Sequence, residues 1–381
     1  MKTFWYFPLE SLNARYTTQL CTQWMPAAFN AAQTTDWKME VISAPAVSQE
    51  IKTGSVLDAV NRGVVSLSQM QELLQRLDEV KSGDVIFLQD LWTPGLEAVL
   101  YALHQQSKHV RIYAMCHAQS VDEYDFTYPM RAWMRPIEQG WSHAFAGIFV
   151  GSTIHRDQMR AAGYVCPIHV VGLPIDAIAV RREMPYTARE KQVIFSSRLN
   201  NEKNPYFMLE VAARFLRSNP GWRWVVTTSA AEWSSEVAGV VRAGFRMMVD
   251  EPRFTMLKGL TKQGYYAELR RSAIQFNSSL QDYVSWCLLE ATLAGCDVCY
   301  PNFRSFPECV DASRLYQPFD VGSACAGLEH AATFPLVHDR PAEVCDRGRN
   351  VEMNIMLRDW KGPEVNVWHQ PQRYFLNVGL L

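Results

Sequence analysis

The chain has 381 residues, with 37 lysines and arginines against 39 acidic residues, and 48% of its residues are hydrophobic. This composition is typical of a globular protein and excludes a disordered tail, a fibre or a coiled coil. The formal net charge of −2 excludes nucleic-acid binding through global positive charge and leaves only local basic patches open. The length predicts two domains.

No apolar run approaches the roughly 18 residues of a membrane span, so no integral membrane association is expected. The opening segment MKTFWYFPLE lacks the long apolar core of a signal peptide and reads as a first strand. Nine cysteines, an odd number, favour a reduced cytoplasmic protein. Cys296 and Cys299 form a CxxC pair without a second ligand pair, and we interpret them as buried core rather than a metal or redox site.

Short apolar runs alternate with helical patterns in the first half of the chain. The predicted strands there are Thr3–Phe7, Lys38–Ile42, Asp84–Leu88, Arg111–Met115, Ala146–Val150 and Ile168–Val171. The predicted helices are Arg15–Ala32, Ser66–Val80, Leu96–His104, Met130–Gln139 and Ile154–Ala162. The segment Gly172–Pro185, with two prolines, is interpreted as a linker.

The alternation restarts after this linker. The predicted strands are Gln192–Ser196, Arg223–Thr227, Phe254–Leu257, Ala273–Asn277 and Asp297–Tyr300, and the helices are Pro205–Arg217, Ala231–Ala243, Gln263–Arg271 and Ser285–Ala294. Such alternation predicts an α/β protein with two doubly wound, Rossmann-like domains facing across a cleft. We assign the domains to residues 1–175 and 186–350, and expect the segment 351–381 to pack back across their junction.

Two cations follow the first predicted strand of the second half. Arg198 and Lys203 lie in the loop after Ser196–Ser197, and Pro205 can open the next helix. Cations before a helix N-terminus favour an anion such as a diphosphate. A solvated loop with unrelated charges is the alternative.

Two carboxylates mark a second strand–loop–helix segment, Phe276–Gly295. Asp282 lies in its loop, and Glu290 follows eight residues later in an apolar helix. A carboxylate on such a face needs a partner or a ligand, because isolated burial of a charge is costly. Glu290 could accept from a ribose diol, or it could pair with a structural arginine.

Taken together, Arg198-x4-Lys203 and Asp282-x7-Glu290, followed by Gly295, resemble the retaining GT-B glycosyltransferases of family 4. The resemblance implies that Arg198 and Lys203 grip the diphosphate of a UDP- or GDP-linked sugar donor without a metal or other cofactor. It also implies that Asp282 contacts the donor sugar and Glu290 the ribose. The segment Lys258-Gly259-Leu260 resembles the part that holds the base, so Gly259 and Leu260 join the predicted donor site.

Three positions depart from the family pattern. Asp282 stands where glutamate is usual, Ser285 where glycine is usual, and Ser197 replaces the glycine before Arg198. Ser285 can still offer its backbone N–H at a helix start, so it stays in the predicted donor site. The shorter Asp282 leaves open a different sugar or a different sugar position.

The resemblance places a histidine after a strand of the first domain, beside the donor sugar, and His117 matches it. His117, Asp282, Arg198 and Lys203 are therefore the predicted catalytic residues. Asp90 is a candidate for acceptor contact or for a helix cap. Asp122, in the acidic loop with Glu123 and Asp125, is a candidate for acceptor contact, with a solvated loop as the alternative.

The N-terminal segment Tyr6–Thr17 resembles the openings of phage-encoded glycosyltransferase-like proteins. That resemblance implies a hydroxymethylated pyrimidine in double-stranded DNA as acceptor, an enzyme in the host cytoplasm, and Glu10, Arg15 and Tyr16 near the acceptor. Surface charges at a helix start are the alternative.

Basic and aromatic residues of the first half bear on the DNA hypothesis. They are Arg131, Arg135, Arg156, Arg160, Arg181, Arg182, Trp92 and Trp133. Arginines can contact phosphates, and tryptophans can stack on a flipped base. The alternative interpretation is that the arginines are solvated and the tryptophans belong to the core.

The sequence thus predicts a glycosyltransferase that moves a sugar from a nucleotide-sugar to a hydroxyl acceptor with retention. The alternatives are a GT-B enzyme acting on a saccharide or lipid-linked acceptor, a phosphorylase or epimerase of the same architecture, and an inactive GT-B binding protein.

Overall fold

The structure, a computed structural model, describes residues 1–9, 16–31, 36–44, 59–117, 119–125, 127–228 and 235–333. Within these ranges the chain forms two compact units, which meet in sequence between Ile175 and Asp176. Each unit contains a six-stranded parallel sheet, as the predicted α/β class requires.

The sheet of the first unit has the order β2-β1-β3-β4-β5-β6. Its strands are β1 (Lys2–Phe7), β2 (Trp37–Val41), β3 (Val85–Leu88), β4 (Arg111–Cys116), β5 (Gly147–Val150) and β6 (Ile168–Val170). The strand β3 is buried at all four positions, Val85–Leu88. A strand without alternation is expected where helices cover both faces of a parallel sheet.

Helices connect these strands. They are α1 (Tyr16–Gln19), α2 (Met25–Ala31), α3 (Ala59–Gln75), α4 (Leu96–Gln105), α5 (Arg131–Ser142) and α6 (Thr153–Ala161). One face of the sheet and its helices form a continuous core that includes Trp5, Leu73, Leu88, Val99 and Ile148. The predicted helix Arg15–Ala32 is divided, because a π-helical turn, Leu20–Trp24, separates α1 from α2.

The sheet of the second unit has the order β12-β11-β10-β7-β8-β9. Its strands are β7 (Glu190–Ser196), β8 (Arg223–Thr228), β9 (Phe254–Lys258), β10 (Ser272–Phe276), β11 (Asp297–Pro301) and β12 (Leu315–Tyr316). Numbered within the unit and read from its β9 edge, this is the Rossmann order 3-2-1-4-5-6. The order reverses between β7 and β10, so their carboxyl ends form a topological switch point.

The helices of the second unit are α7 (Ala177–Glu183), α8 (Pro205–Ser218), α9 (Ser235–Asp250), α10 (Lys262–Arg271), α11 (Trp286–Ala294), α12 (Phe306–Cys309) and α13 (Val321–Ala332). Local sequence explains where the central helices begin. Asn204 adopts a left-handed conformation with φ 47°, and Pro205 follows at the first helical position of α8. Thr261 caps α10 and Ser285 caps α11 through their side-chain oxygens.

The described structure contains four elements that the sequence prediction does not: α7, α12, β12 and α13. The predicted linker contains the helix α7, which Asp176 caps by accepting from the Ala179 N–H at 2.9 Å. The strand β12 and the helix α13 were not predicted. The helix α13 packs closely against β11 at Gly327, where an added Cβ would lie only 3.1 Å from the Cys299 sulfur. The segment 351–381 lies outside the described residues.

The CxxC cysteines lie at the start and in the middle of the β11 region. Cys296 and Cys299 are both buried, and the Cys296 thiol donates to the Leu269 carbonyl at 3.1 Å. Burial raises the pKa of the Cys299 thiol, which keeps the thiol protonated. These contacts agree with the interpretation as core residues.

Within the described ranges, no helix is both long and apolar enough to span a bilayer.

A buried histidine predicts acid sensitivity of the first unit. His169 is 8% exposed, and burial, followed by the charge of Arg160, lowers its pKa to about 4. Because the unfolded chain takes up the proton first, stability is full above about pH 6.5 and falls as the pH drops towards 4, by about 3 kcal/mol. Urea unfolding of His169→Gln from pH 7 to 4 should show a shallower loss than the parent. The exposed His104, changed to Gln, is the control; identical pH profiles for all three proteins would contradict the assignment.

The cap of α11 predicts a second stability effect. The Ser285 hydroxyl accepts from the Leu288 N–H at 3.4 Å. Ser285→Ala should lower the free energy of unfolding by about 1 kcal/mol, whereas Ser285→Gly, the residue of the resembled family, should cost only a few tenths. Urea unfolding of both variants measures the difference. An unchanged free energy of unfolding in Ser285→Ala would show that the hydroxyl contributes nothing to the cap.

Candidate functional site

The switch point of the second unit brings together the two loops that the sequence analysis selected. The strands β7 and β10 are neighbours, with Phe195 opposite Phe276. The loop with Arg198 and Lys203 follows β7, and the loop with Asp282 follows β10. Ligands of open α/β sheets bind at this position, where the flanking connections leave on opposite faces.

Lys203 links the two loops directly. Its ammonium donates to the Gln281 carbonyl at 2.6 Å and lies 3.2 Å from the Asp282 carboxylate. The residue is 7% exposed, so its charge is held in place by these partners. The predicted catalytic pair Lys203 and Asp282 is therefore in contact.

Arg198 is the more accessible cation of the site. Its guanidinium forms an ion pair with Glu202, four residues later, and its side chain is 35% exposed. The Glu202 carbonyl also accepts from the Leu280 N–H at 2.7 Å, which ties the β7 loop to the β10 loop. Both predicted phosphate cations thus face a carboxylate within the same loop cluster.

Glu290 lies on the buried side of α11 and is paired. Its Oε1 accepts from the Lys262 ammonium and, at 3.2 Å, from the Tyr266 hydroxyl. Glu290 is 4% exposed and Tyr266 is fully buried. Burial, followed by the charge of Glu290, raises the pKa of Tyr266, so this hydroxyl stays a donor. The partner is a lysine from α10, rather than the arginine considered above.

The predicted base-holding segment follows β9. Gly259 has φ +58°, in the left-handed region that favours glycine, and its N–H donates to the Thr228 carbonyl at 3.0 Å. Gly259 is exposed and Leu260 is half-buried. This turn leads directly into α10 and so into Lys262.

Cys287 is a further side chain of this region. Its thiol donates to the Ser196 carbonyl, at the end of β7, at 2.7 Å. Burial, followed by the charge of Glu290, raises its pKa to about 12. The thiol therefore joins α11 to the central strand as a hydrogen-bond donor.

In the first unit, His117 directly follows β4. Its Nε2 lies 2.9 Å from the Gln89 carbonyl oxygen. A carbonyl only accepts, so Nε2 carries the proton and Nδ1 is left for other partners. Gln89 is fully buried and accepts from the Tyr6 hydroxyl at 3.0 Å.

Asp90 lies beside this histidine loop, after β3. Its carboxylate accepts from the Trp92 N–H at 3.1 Å and lies 3.4 Å from Arg62. The helix α4 begins after Gly95, without a side-chain cap. The helix-cap alternative for Asp90 is therefore wrong, since its carboxylate closes a turn. The strand order reverses between β1 and β3, so Asp90 lies at the switch point of this sheet.

The acidic loop after His117 is largely buried. Asp122 is fully buried and accepts from the Tyr124 N–H at 3.0 Å. Asp125 is 8% exposed and accepts from Thr127, whereas Glu123 is exposed. The solvated-loop alternative is wrong for both aspartates, because each organises a turn of the backbone.

The remaining predicted acceptor residues lie at the start of the chain. Glu10 and Arg15 are outside the described residues. Tyr16 begins α1, and its side chain is outside them as well.

Three of the six arginines considered for phosphate contact have local partners. Arg135 donates to the Ser120 carbonyl at 2.6 Å, Arg156 pairs with Asp157 at 2.8 Å, and Arg131 stacks on the Tyr128 ring. Trp92 and Trp133 pack edge to face with centroids 5.8 Å apart, and Trp133 is 52% exposed. Among these residues the described structure therefore shows one exposed tryptophan and, besides the partnered arginines, the exposed Arg160 and Arg182.

Sequence reasoning missed Lys262, Tyr266, Glu202 and Arg62. The nearness of Arg198 and Glu202, four residues apart in one loop, was a readable signal, because opposite charges so close in the chain can pair within a single loop. Lys262 and Glu290 are 28 residues apart. Their contact depends on the packing of α10 against α11, which no local pattern reveals.

Comparison with protein-family models and with curated proteins finds no match. Solved structures do match over nearly the whole chain. A sucrose-phosphate synthase from Thermosynechococcus elongatus has TM-score 0.62 and 10% identity, covering 93% of this chain and 95% of its own. A trehalose 6-phosphate synthase from Burkholderia multivorans has TM-score 0.60 and 15% identity, covering 92% and 94%.

HepE from Anabaena, solved in complex with UDP-glucose, has TM-score 0.61 and 10% identity, covering 93% of this chain and 95% of its own. At such identities the likeness establishes the fold alone. These neighbours are GT-B glycosyltransferases, and they share with this chain two Rossmann-like units. The chain therefore has the GT-B fold.

Proposed function

We propose that this protein is a glycosyltransferase that takes its sugar from a nucleotide-sugar. One observation carries the proposal: the cations Arg198 and Lys203 lie at the switch point of a sheet with Rossmann strand order, in one loop cluster with Asp282. The same unit holds the buried Glu290 on the helix after that loop. The fold shared with trehalose-phosphate and sucrose-phosphate synthases supports this reading.

The donor diphosphate is assigned to Arg198 and Lys203. Both cations already pair with carboxylates, Glu202 and Asp282, so a bound diphosphate competes with these groups. During transfer, negative charge builds on the leaving diphosphate, and preorganised cations stabilise it. We assign this neutralisation to the two side chains rather than to a metal.

The rest of the donor is assigned by position. Glu290 accepts hydrogen bonds from the ribose hydroxyls, and Ser285 offers its backbone N–H at the N-terminus of α11. Gly259 and Leu260 contact the base. Asp282 and His117 orient the sugar. HepE was solved with UDP-glucose, which supports a UDP-linked hexose as the first donor to test.

Retention of the anomeric configuration and the acceptor belong to the proposal as well. Retention follows from the resemblance to family 4. We assign acceptor binding to Asp90, at the switch point of the first sheet, and to Arg62, which lies 3.4 Å from its carboxylate. Of the two acceptor classes, a saccharide-type hydroxyl is favoured by the neighbours' names. For a hydroxymethylated pyrimidine in DNA, the support consists of the exposed Trp133, Arg160 and Arg182.

Removing either phosphate cation should abolish transfer. For Arg198→Met and Lys203→Met we expect at least about a hundredfold loss of sugar transfer, because each removes a charge that stabilises the leaving diphosphate. Lys191, exposed on the opposite end of β7, gives the control Lys191→Met, which should keep full activity. Radiolabelled UDP-sugar and a thermal melt report turnover and folding.

Arg198 is partly exposed, so its variant should fold even if the Lys203 variant does not. Near-normal transfer by folded Arg198→Met or Lys203→Met would overturn the diphosphate assignment.

The acceptor prediction separates the candidate functions. We expect UDP- or GDP-linked sugars to raise the melting temperature and the best donor to be transferred to a sugar phosphate or oligosaccharide. Hydroxymethylated duplex DNA and lipid-linked saccharides are parallel arms of the same assay. Transfer to DNA alone would contradict the saccharide acceptor. Donor binding without transfer and without slow donor hydrolysis would identify an inactive binding protein.

A further inference from the structure

The helix α10 contributes two side chains that contact Glu290, the proposed ribose ligand. Lys262, its first residue, donates to Oε1 of Glu290, and Tyr266, one turn later, donates to the same oxygen at 3.2 Å. Lys262 and Tyr266 therefore both donate to Oε1 of Glu290, and neither donates to Oε2.

The position of the ammonium is well defined. Its nitrogen lies 4.6 Å from the Tyr266 ring centroid and 5.4 Å from that of Tyr265, within cation–π range. The Lys262 side chain is 23% exposed, against 6% for Glu290. The two tyrosine rings and the Glu290 carboxylate thus surround the partly buried Lys262 ammonium. These contacts restrict the motion of both charged groups.

The surroundings of Glu290 explain why its carboxylate needs a paired cation. Its neighbours on α11, Leu289 and Ala291, are buried, and an isolated carboxylate there would be costly. Within the described ranges, Lys262 is the ion-pair partner of Glu290. A carboxylate with a fixed cation on one oxygen presents the other oxygen in a defined direction, which recognition of a hydroxyl requires.

We infer that Lys262 is a positioning residue for ribose recognition, which fixes Glu290 through Oε1 so that Oε2 accepts from the ribose 2′- and 3′-hydroxyls. This inference rests on the proposed function, because it takes Glu290 as the ribose ligand. It makes Lys262 a determinant of selectivity for a ribonucleotide over a 2′-deoxyribonucleotide donor. Lys262 acts here through Glu290 and does not touch the diphosphate.

The test is a binding measurement that isolates the 2′-hydroxyl. Calorimetric titration with UDP, 2′-deoxy-UDP and UMP is carried out on the parent protein and on Lys262→Met, Lys262→Arg and the control Lys191→Met. Should the parent prefer GDP, the guanine series replaces the uracil series. Tyr266→Phe, which removes only the second donor to Oε1, is a milder variant in case Lys262→Met does not fold.

The parent and Lys191→Met should bind UDP at least about tenfold more tightly than 2′-deoxy-UDP, as expected for one hydrogen bond to a charged group. In Lys262→Met this ratio should fall below about threefold. Lys262→Arg should restore it, because a guanidinium can donate to the same oxygen, and Tyr266→Phe should lower it in part.

The outcomes that contradict the inference are distinct. An unchanged ratio in folded Lys262→Met would overturn it, as would an equal loss for UDP and 2′-deoxy-UDP with UMP unaffected, since that pattern places the ammonium on the diphosphate. Binding of neither UDP nor GDP by the parent protein would overturn the proposed function and the inference together. Binding by the parent with an unchanged ratio in the variant would overturn the inference alone.

Discussion

The parallel pairing of β7 with β10 is the constraint on which the candidate site depends. These strands are the point where the strand order of the second sheet reverses, so the loops after them diverge to opposite faces and leave space at their carboxyl ends. Lys203 and Asp282, 79 positions apart in the printed sequence, come within 3.2 Å as a result. The helices α10 and α11 then bring Lys262 to Glu290 beside the same sheet.

Charge balance is the second organising feature. Three cations of the site, Arg198, Lys203 and Lys262, pair with three carboxylates, Glu202, Asp282 and Glu290. Such pairs lower the cost of burying charge, and they hold the three cations in defined positions.

Sequence patterns predicted most strands and helices because apolar runs and helical periodicity are local. They also selected Arg198, Lys203, Asp282 and Glu290, of which Lys203 and Asp282 are in contact. They missed α7, since the prolines of Gly172–Pro185 read as a linker although Asp176 starts a helix between them. They also took Asp122 as loop chemistry or solvated charge, whereas it is a buried turn former, because burial is set by distant residues.

What the sequence by itself determined is therefore the α/β class, the two-part organisation and the two strand–loop–helix segments that carry the cations and carboxylates of the candidate site. Composition, periodicity and spacing along a helix or loop carry that information. Only the tertiary structure decided the strand orders, the pairing of each cation with its carboxylate, and the contact of Lys262 with Glu290. Those depend on which strands become neighbours and which helices pack together, and such contacts join residues too far apart in the chain for any local pattern to encode.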